Sequence, residues 1–373
     1  MPTSLMIVHL ALWSAVLTPP CTDAPPSGWS VESTALSLSR HDPCVDLLIA
    51  DDGSVIVAAR DANGVGLEVL SNGAWSTAFQ SLEGGCPVLA EANGVMRVAF
   101  SEPAGVRVAT RTGSVWPSEH VSGIEAPFAI LPDGRLRSVG VDPFGEALVL
   151  HESGATEDVI VAIPGTPIGG NIVDLVAMAL GADGSTHVLF RRNTRPALEY
   201  ATNASGTWRF EVADPLQFDR TAVYWGWSNN PPPVVGFVID AEAHAHLAYR
   251  LKPSMKLAYA TNASGTWRRE IVDHGAPVSL DVALRLSAEG VPWLAWQRVA
   301  AGDLVVSTRA NDGWTTVTVD ALDTAGTARG LALGPDGRWH LAFSRFGGNL
   351  YGWYDARPIQ HAVSVPCVEG RAR

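Results

Sequence analysis

Short apolar runs alternate with small polar clusters along most of the chain. In one stretch, a wholly apolar run at residues 175–180 is followed by runs at 186–190, 198–202 and 208–212, separated by Gly, Asn, Asp and Pro. Runs of this length with such punctuation predict β-strands joined by hairpin turns. The unbroken apolarity of the first run predicts a strand buried on both faces. The stretch therefore predicts a sheet of four short antiparallel strands.

This four-stranded unit recurs along the chain. The plainest pair is LEYATNASGTW at 198–208 and LAYATNASGTW at 257–267. The first turns of the units fall at Gly53, Gly94, Gly134, Gly184, Ala243, Gly290 and Gly337. The spacings between successive turns are 41, 40, 50, 59, 47 and 47 residues. A Trp follows the second turn at Trp75, Trp116, Trp208, Trp267 and Trp314. Four antiparallel strands repeated at this period are typical of a propeller blade. We therefore predict an all-β fold, a seven-bladed β-propeller of four-stranded antiparallel blades.

The ends of the repeat array predict how the ring closes. The last unit lacks its own outer-strand Trp, whereas residues 28–35 (GWSVESTA) resemble the outer strands that follow Gly206 and Gly265. We expect residues 28–35 to supply the outer strand of blade 7, which would remove an exposed sheet edge. Residues 358–365 are the alternative for that place. The predicted organisation is a signal peptide at 1–20, a linker at 21–27, one propeller at 28–366 and a C-terminal tail at 367–373.

The four cysteines predict two disulfides if the chain is exported. Cys44 and Cys86 lie nine and eight residues before the first-turn glycines of neighbouring units, so they occupy nearly equivalent places. Cys21 and Cys367 flank the two ends of the repeat array. Of the three possible connectivities we favour Cys44–Cys86 with Cys21–Cys367.

Composition narrows the class of protein. With 36 Gly and 25 Pro in 373 residues the chain is unsuited to a mostly helical fold, and the 17% of charged residues is low for a soluble domain. Blades that bury both faces account for that low charge. The net charge of −12 argues against a nucleic-acid partner, because such binding depends on Lys and Arg.

The N-terminal region predicts export. Residues 5–17 form an apolar run of 13, too short to span a membrane and typical of a signal-peptide core, although no Lys or Arg precedes it. Cys21 offers a possible lipid anchor, but Thr18-Pro19-Pro20 is a poor sequence before a lipid-modified Cys. A buried N-terminal segment is the remaining alternative. We expect no membrane span.

The repeat unit resembles those of bacterial secreted propellers that are loosely grouped with sialidase-type (BNR-like) repeats. The resemblance rests on the pattern D/E-G-x-x-H-L-A-Y followed by L-x-Y-A-T-N-A-S-G-T-W and covers about residues 28–366. It implies the propeller fold. A sialidase Asp-box would have Asp where Ala204 stands, with its Trp one place later than Trp208, and no F-R-I-P arginine motif occurs. Hydrolysis of sialic acid is therefore not expected.

Histidines recur at one position of the unit, as His187, His246 and His340. Equivalent positions in different blades spread around a ring, so these side chains cannot meet on one metal ion. We expect them to pack and form hydrogen bonds between blades. His244 and His246 share one face of a strand, where metal binding is the alternative to a structural role. The Asp-Gly turns lack the spacing of a calcium loop, and we expect neither a metal nor a cofactor.

Basic residues gather where the second strand of a unit ends. Five blades carry an Arg there, and further basic residues follow in the adjoining loops; the set is Arg60, Arg191, Arg192, Arg195, Arg250, Lys252, Lys256, Arg298 and Arg345. Strand direction puts these loops on the same propeller face as the connections between blades. The Arg side chains could attract an anionic ligand, or they could pair with Asp214, Asp273 and Asp320, which end outer strands on that face.

The longest irregular stretch, residues 216–232 (LQFDRTAVYWGWSNNPP), opens on this face. We call it the aromatic segment. Aromatic rings beside amides and charges suit stacking on sugars, and long loops often carry function; the alternative is a plug over the central channel. A second long stretch, residues 165–171, should lie beside it. The predicted ligand-binding residues are Phe218, Arg220, Tyr224, Trp225, Trp227, Arg191, Arg195, Arg250 and Lys252.

No catalytic motif stands out. The chain has no G-x-S-x-G, P-loop or H-E-x-x-H sequence. We predict an exported, monomeric, non-catalytic propeller that binds a glycan or another cell-surface or extracellular partner. The alternatives are a carbohydrate-active hydrolase or lyase at the mouth of the channel, with Asp219 and either Asp142 or Glu146 as paired carboxylates, and a structural envelope protein.

Overall fold

The structure is a computed structural model that describes residues 28–37, 44–61, 64–81, 83–165, 173–192, 197–215, 235–251, 253–273, 275, 277–299, 301–310, 313–321, 325–345 and 358–365. Within these ranges the chain forms seven four-stranded antiparallel sheets, the blades of a seven-bladed β-propeller. The predicted fold class is confirmed. None of the described segments is a helix with the length and apolarity of a membrane span.

The strands of blades 1 to 3 follow an initial strand, β1 (Trp29–Ser37), which belongs to blade 7. Blade 1 contains β2 (Val45–Ile49), β3 (Val55–Asp61), β4 (Gly64–Ser71) and β5 (Ala74–Ser81). Blade 2 contains β6 (Pro87–Ala92), β7 (Val95–Glu102), β8 (Gly105–Thr110) and β9 (Ser118–Ser122). Blade 3 contains β10 (Phe128–Ile130), β11 (Leu136–Val141), β12 (Ala147–Glu152) and β13 (Val159–Ala162).

Blades 4 to 7 complete the ring. Blade 4 contains β14 (Val173–Leu180), β15 (Thr186–Arg192), β16 (Leu198–Thr202) and β17 (Arg209–Asp214). Blade 5 contains β18 (Val235–Ile239), β19 (Ala245–Arg250), β20 (Leu257–Thr261) and β21 (Arg268–Ile271). Blade 6 contains β22 (Val278–Leu286), β23 (Pro292–Arg298), β24 (Leu304–Ala310) and β25 (Gly313–Asp320). Blade 7 contains β26 (Ala325–Leu333), β27 (Trp339–Arg345), β28 (Pro358–Ser364) and β1.

The first strand of the chain closes the ring, as predicted. In blade 7 the order is β26-β27-β28-β1, so Trp29–Ser37 is the outermost strand and pairs antiparallel with β28. Pro358–Ser364, the alternative for that position, is the third strand. Because a strand from the other end of the array closes the ring, blade 7 has four strands, as each of the other blades does.

A Trp-to-Glu hydrogen bond joins the outer strands of neighbouring blades. The Trp that begins one outer strand donates its indole N–H to a Glu in the outer strand of the preceding blade. The pairs are Trp75 with Glu32 (3.1 Å), Trp267 with Glu211 (2.8 Å) and Trp314 with Glu270 (3.0 Å). Each accepting Glu stands three residues after an outer-strand Trp of its own, and Glu32 keeps that spacing from Trp29. The recurrent Trp is therefore an interblade contact.

Seven apolar cores lie between the blades, one between each neighbouring pair. The core between blades 7 and 1 includes Leu36, Leu47 and Ile359, so the closing strand takes part in it. The prediction for residues 175–180 was wrong: only Ala177 is buried there, whereas β15 is buried throughout. The inner strand borders the central channel, so the second and third strands carry the double-sided burial.

The first turns differ from the tight two-residue form that the Asp-Gly pairs predict. In six blades the N–H of the fourth turn residue donates to the carbonyl of the first, and only the fourth residue has positive φ, as at Gly184 (φ 78°) and Ala243 (φ 63°). Blade 2 alone among these turns has positive φ at two successive residues, Asn93 and Gly94. In blades 1, 3, 4 and 7 the Asp before the glycine accepts a turn N–H and does not itself need positive φ.

Cys44 and Cys86 form a disulfide, as predicted, with their Cα atoms 5.2 Å apart. Each precedes the inner strand of its blade, so the bond joins blades 1 and 2 where these strands begin. A bridge across 42 residues of chain stabilises a fold by about 4 kcal/mol in the chain-entropy account. The predicted partners Cys21 and Cys367 lie outside the described residues, as do the predicted signal peptide, linker and tail.

Candidate functional site

The two faces of the propeller carry different loops. One face carries the connections between blades together with the loops between second and third strands, and we call it the connection face. The opposite face carries the first and second turns of each blade, and we call it the turn face. Every outer strand ends, and every following inner strand begins, at the connection face.

The predicted site residues fall into two groups. Phe218, Arg220, Tyr224, Trp225, Trp227, Arg195 and Lys252 lie outside the described residues. Arg191 and Arg250 end the second strands of blades 4 and 5 and are buried, with exposed fractions of 2% and 9%. Arg250 donates from Nη1 to the carbonyl of Val278 at 3.2 Å. These two guanidinium groups are thus packed into the ring, and their contact with a ligand stays a prediction.

Several basic side chains of the connection face pair with acids, the alternative that the sequence left open. Arg298 lies 3.5 Å from Asp273, and Arg345 lies 2.7 Å from Asp320. In both pairs the Asp follows or ends the outer strand of one blade and the Arg ends the second strand of the next. Such pairs connect neighbouring blades and offset the positive charge of the face.

The third acid of this set, Asp214, has different partners. It accepts a short hydrogen bond from the Tyr249 hydroxyl and lies 3.1 Å from Nη1 of Arg269. Burial, with the adjacent Asp214 carboxylate, raises the pKa of Tyr249 well above its ordinary value, so the phenol keeps its proton and donates it. Asp214 is 2% exposed and is again an interblade contact between blades 4 and 5.

A buried ion pair stands beside this contact in blade 4. Nη2 of Arg192 lies 2.8 Å from Oε2 of Glu199, and both side chains are about 5% exposed or less. Nη1 of Arg192 also donates to the carbonyl of Pro164 at 2.8 Å, which ties the start of the connection from blade 3 to blade 4. Breaking one partner of a buried pair is strongly destabilising. Arg192 therefore stabilises blade 4 and the start of its connection from blade 3 at the connection face.

Phe144 is an exposed aromatic residue of the connection face that the sequence analysis missed. It sits in the loop between β11 and β12 and is 70% exposed. Asp142 holds that loop: its Oδ1 accepts from the N–H groups of Glu146 (2.6 Å) and Ala147 (2.7 Å). Burial alone would raise the pKa of Asp142, but these backbone donors outweigh it and lower the pKa. Asp142, proposed above as one of two paired carboxylates, is committed to this turn.

The connection from blade 4 to blade 5 is the longest on this face. The outer strand β17 ends at Asp214 and the inner strand β18 begins at Val235, with 20 residues between them. The other described connections between consecutive blades have 4 to 10 residues. Both ends of the long connection are fixed at the connection face, since Val235 pairs with Tyr249 and Leu198 pairs with Asp214. The aromatic segment belongs to this connection.

A charged pair joins two inner strands of the ring. Asp46 of β2 and Arg285 of β22 belong to blades 1 and 6, on either side of blade 7, and approach to 3.9 Å between Oδ1 and Nη2. The Asp46 carboxylate also accepts the N–H groups of Leu47 (2.9 Å) and Leu89 (2.7 Å). Burial raises the pKa of Asp46 against the effect of Arg285 and these donors. The pair therefore links the inner strands of blades 6 and 1.

On the turn face a cavity of about 280 Å³ opens between blades 2 and 3. Its walls are mostly polar and include Arg97, Glu119 and Ser153. The Arg97 guanidinium lies beneath Gly134, where an added Cβ would come within 2.6 Å of Nη2. This cavity lies on the face opposite the predicted site.

The repeated histidines are structural, but their partners lie within their own blades. Nδ1 of His187 lies 2.5 Å from the Tyr200 hydroxyl, and Nδ1 of His246 lies 2.5 Å from the Tyr259 hydroxyl. Burial lowers the pKa of His187 to about 4 and lowers that of His246. The prediction of hydrogen bonds between blades holds instead for Arg137, at the same position of blade 3, which donates to the carbonyl of Gly184 at 2.8 Å.

No protein-family profile matches the chain, and no curated protein matches its sequence. The solved structures that share its fold include the following three. The polysaccharide lyase Uly1 has a TM-score of 0.53 and 11% identity, over 89% of this chain and 91% of the lyase. YCF48 from Cyanidioschyzon merolae has a TM-score of 0.53 and 13% identity, over 90% of this chain and 98% of YCF48. Hydrazine synthase of Kuenenia stuttgartiensis has a TM-score of 0.53 and 11% identity, over 83% of this chain and 94% of the synthase chain.

Sialidase and arabinanase propellers are also similar to this chain, at TM-scores below 0.5. At these identities the likeness establishes the propeller fold alone. No family of repeats is assigned to this chain.

Proposed function

We propose that this protein is an exported, non-catalytic propeller that binds a glycan through its connection face. The observation that carries the proposal is the 20-residue connection between Asp214 and Val235. It is at least twice as long as the other described connections between consecutive blades, and it carries Phe218, Tyr224, Trp225 and Trp227. Long loops on a rigid scaffold are where binding residues concentrate.

The described part of the connection face supports this proposal in two ways. Phe144, on the neighbouring blade 3, presents a second exposed aromatic ring on a turn held by Asp142. The buried pairs Arg192–Glu199 and Asp214–Tyr249 hold rigid the strands from which the long connection departs. A rigid base lowers the entropic cost of ordering a binding loop.

The charge of the face favours a neutral or weakly acidic glycan over a highly anionic one. Arg298 and Arg345 are paired with Asp273 and Asp320, so they do not add net positive charge to the surface. Aromatic stacking would then supply more of the affinity than ion pairing. The lyase Uly1 acts on a polysaccharide with a propeller of similar fold, which makes a carbohydrate ligand reasonable for this architecture.

Export is supported by the Cys44–Cys86 disulfide, because such bonds persist in oxidising compartments. The apolar run at residues 5–17 is the expected leader.

A glycan array followed by affinity measurements on its strongest ligand tests the proposal. Trp225→Ala with Trp227→Ala should weaken binding about tenfold or more, since removing a central aromatic contact commonly costs over 1 kcal/mol. Phe144→Ala should weaken it less. Val115→Ala is the control, since Val115 is 59% exposed on the turn face. Unchanged affinity in the double Trp variant would refute the site, and release of a product from the glycan would instead establish an enzyme.

A further inference from the structure

The first turn of blade 5 brings three metal-ligating groups together. Among the described residues, Asp240, Glu242 and His244 form one group whose ligand atoms all lie within 4.8 Å of one another. Oδ2 of Asp240 lies 3.0 Å from Nδ1 of His244. Ligands held 2.0–2.2 Å from one ion at tetrahedral angles lie about 3.3–3.6 Å apart. Small side-chain movements would bring the three atoms to that spacing.

The turn does not itself require this combination of residues. The same turn occurs in six blades, and in each of them the first, third and fifth positions can be compared. They are Ala50, Asp52 and Ser54 in blade 1, Leu131, Asp133 and Arg135 in blade 3, Gly181, Asp183 and Ser185 in blade 4, Asp240, Glu242 and His244 in blade 5, Ser287, Glu289 and Val291 in blade 6, and Gly334, Asp336 and Arg338 in blade 7. Blade 5 alone of these six has a metal-ligating side chain at all three positions.

A change of roles within the turn leaves one carboxylate unused. In blades 1, 3, 4 and 7 the Asp at the third position accepts the N–H of the fifth residue, as Asp183 does from Ser185 at 2.9 Å. In blade 5 Asp240 accepts that bond instead, from His244 at 2.7 Å. The Glu242 carboxylate consequently has no hydrogen-bond or ion-pair partner among the residues that the structure describes.

A chain of hydrogen bonds through the buried side chain of His246 to Tyr259 orients the Asp240 carboxylate. Nε2 of His246, a residue 4% exposed, lies 3.1 Å from Oδ2 of Asp240, and its Nδ1 lies 2.5 Å from the Tyr259 hydroxyl. In blade 4 the equivalent His187 meets the Ser185 hydroxyl at 2.8 Å, so there the same chain ends on a neutral group. Partners of this kind fix the orientation of ligating carboxylates in metal sites.

We propose that Asp240, Glu242 and His244 bind a divalent first-row transition ion, with Zn²⁺ as the reference case, on the turn face of blade 5. One imidazole nitrogen with two carboxylates suits Zn²⁺ or Co²⁺, whereas Ca²⁺ and Mg²⁺ take oxygen ligands. The ion takes the place of the hydrogen between Nδ1 of His244 and Oδ2 of Asp240. The neutral imidazole then carries its single proton on Nε2, and a ring that starts as imidazolium releases its second proton to solvent. The site is independent of the connection face and of the proposed glycan.

Calorimetric titration of the full-length, chelator-treated protein with Zn²⁺ tests the site. We expect saturable binding of one ion at the turn, weakened about 10- to 100-fold in Glu242→Gln and in His244→Ser. Glu289→Gln is the matched control, because Glu289 holds the third position of the same turn in blade 6. It should bind Zn²⁺ like the parent protein.

Three results would overturn the proposal: absence of saturable Zn²⁺ binding, unchanged affinity in Glu242→Gln and His244→Ser, or tighter binding of Ca²⁺ that His244→Ser does not alter. Nitrogen NMR of the histidine side chains in the unmodified protein provides a second measurement that does not depend on the folding of variants. Zn²⁺ should shift the His244 ring resonances and leave those of His187 and His340 in place. A spectrum in which the His244 signals do not move contradicts the assignment.

Discussion

At the scale of single residues, the buried histidines make stability depend on pH. Burial lowers the pKa of His187 and of His340 to about 4, and it lowers the pKa of His246 and His361 as well. In the unfolded chain a histidine titrates near 6.5. Between these pH values the unfolded chain binds protons that the folded protein excludes, so acid favours unfolding.

The free energy of unfolding should therefore be fully retained above about pH 6.5 and fall as the pH drops towards 4, by about 1.4 kcal/mol for each pKa unit per histidine. Urea unfolding at pH 7.0, 5.5 and 4.5 measures this slope. His187→Gln, which removes one such group, should reduce the slope relative to the parent protein. His120→Gln is the control, since His120 is partly exposed beside Glu102 on the rim. Equal slopes for His187→Gln and the parent protein would contradict the argument.

Residue-level prediction from sequence succeeded where a pattern repeats and failed where only three-dimensional packing decides. The structural role of His187 and His246 followed from their recurrence. The burial of Arg191 and Arg250 could not be read from their spacing, because it depends on three-dimensional packing; Arg250, for example, donates to the Val278 carbonyl of the next blade. Phe144 gave no signal either, since a lone aromatic after Pro in a loop resembles any core residue. The Glu that stands three residues after the outer-strand Trp in four of the repeats was a readable signal that the sequence analysis overlooked; the pairs are Trp29 and Glu32, Trp116 and Glu119, Trp208 and Glu211, and Trp267 and Glu270.

At the scale of strands, close approach between inner strands fixes glycine at particular positions. A Cβ added to Gly236 in β18 would lie 2.7 Å from Cβ of Leu284 and 3.2 Å from its backbone nitrogen, in β22 of the next blade. Backbone atoms cannot give way as a flexible side chain can. A Cβ added to Gly330 in β26 would likewise lie 2.5 Å from Cβ of Leu47 in β2. Two of the seven contacts between inner strands thus require a residue without a side chain.

Gly236→Ala should lower the free energy of unfolding by about 1–3 kcal/mol, the usual cost of overpacking a core. Gly140→Ala is the control: Gly140 also lies within a strand, β11, but its nearest neighbour would be Nε2 of His151 at an ordinary 3.7 Å. That control should be neutral or slightly stabilising, because it reduces the entropy of the unfolded chain. Denaturant unfolding of the three proteins measures both effects. A Gly140→Ala variant as unstable as Gly236→Ala would show that strand conformation, and not interblade distance, sets the cost.

At the scale of the whole molecule, the ring is closed by one strand from the far end of the array. The repeat count and the resemblance of residues 28–35 to the outer strands that follow Gly206 and Gly265 were sufficient to predict this topology, because the last unit lacks an outer-strand Trp of its own. β1 completes blade 7 and also reaches blade 1, where Glu32 accepts from Trp75 and the N–H of Ala35 donates to Glu68 at 3.0 Å. Inside blade 7, Glu32 lies 2.9 Å from Nδ1 of His361. Glu32 is therefore shared between the two blades that closure must join.

Removal of residues 28–37 should open the ring, because it leaves β28 as an unpaired edge and strips Leu36 from the core between blades 7 and 1. The truncated chain should unfold at lower urea concentration and self-associate, as measured by denaturation and size-exclusion chromatography. A synthetic peptide of residues 28–37 added in trans should restore both properties. The same peptide carrying Glu32→Gln should do so less well, since it weakens the contacts to His361 and Trp75. The Cys44–Cys86 disulfide joins blades 1 and 2, so it cannot substitute for the missing strand. A truncated chain with the parent unfolding midpoint would mean that the interblade cores hold the ring without β1.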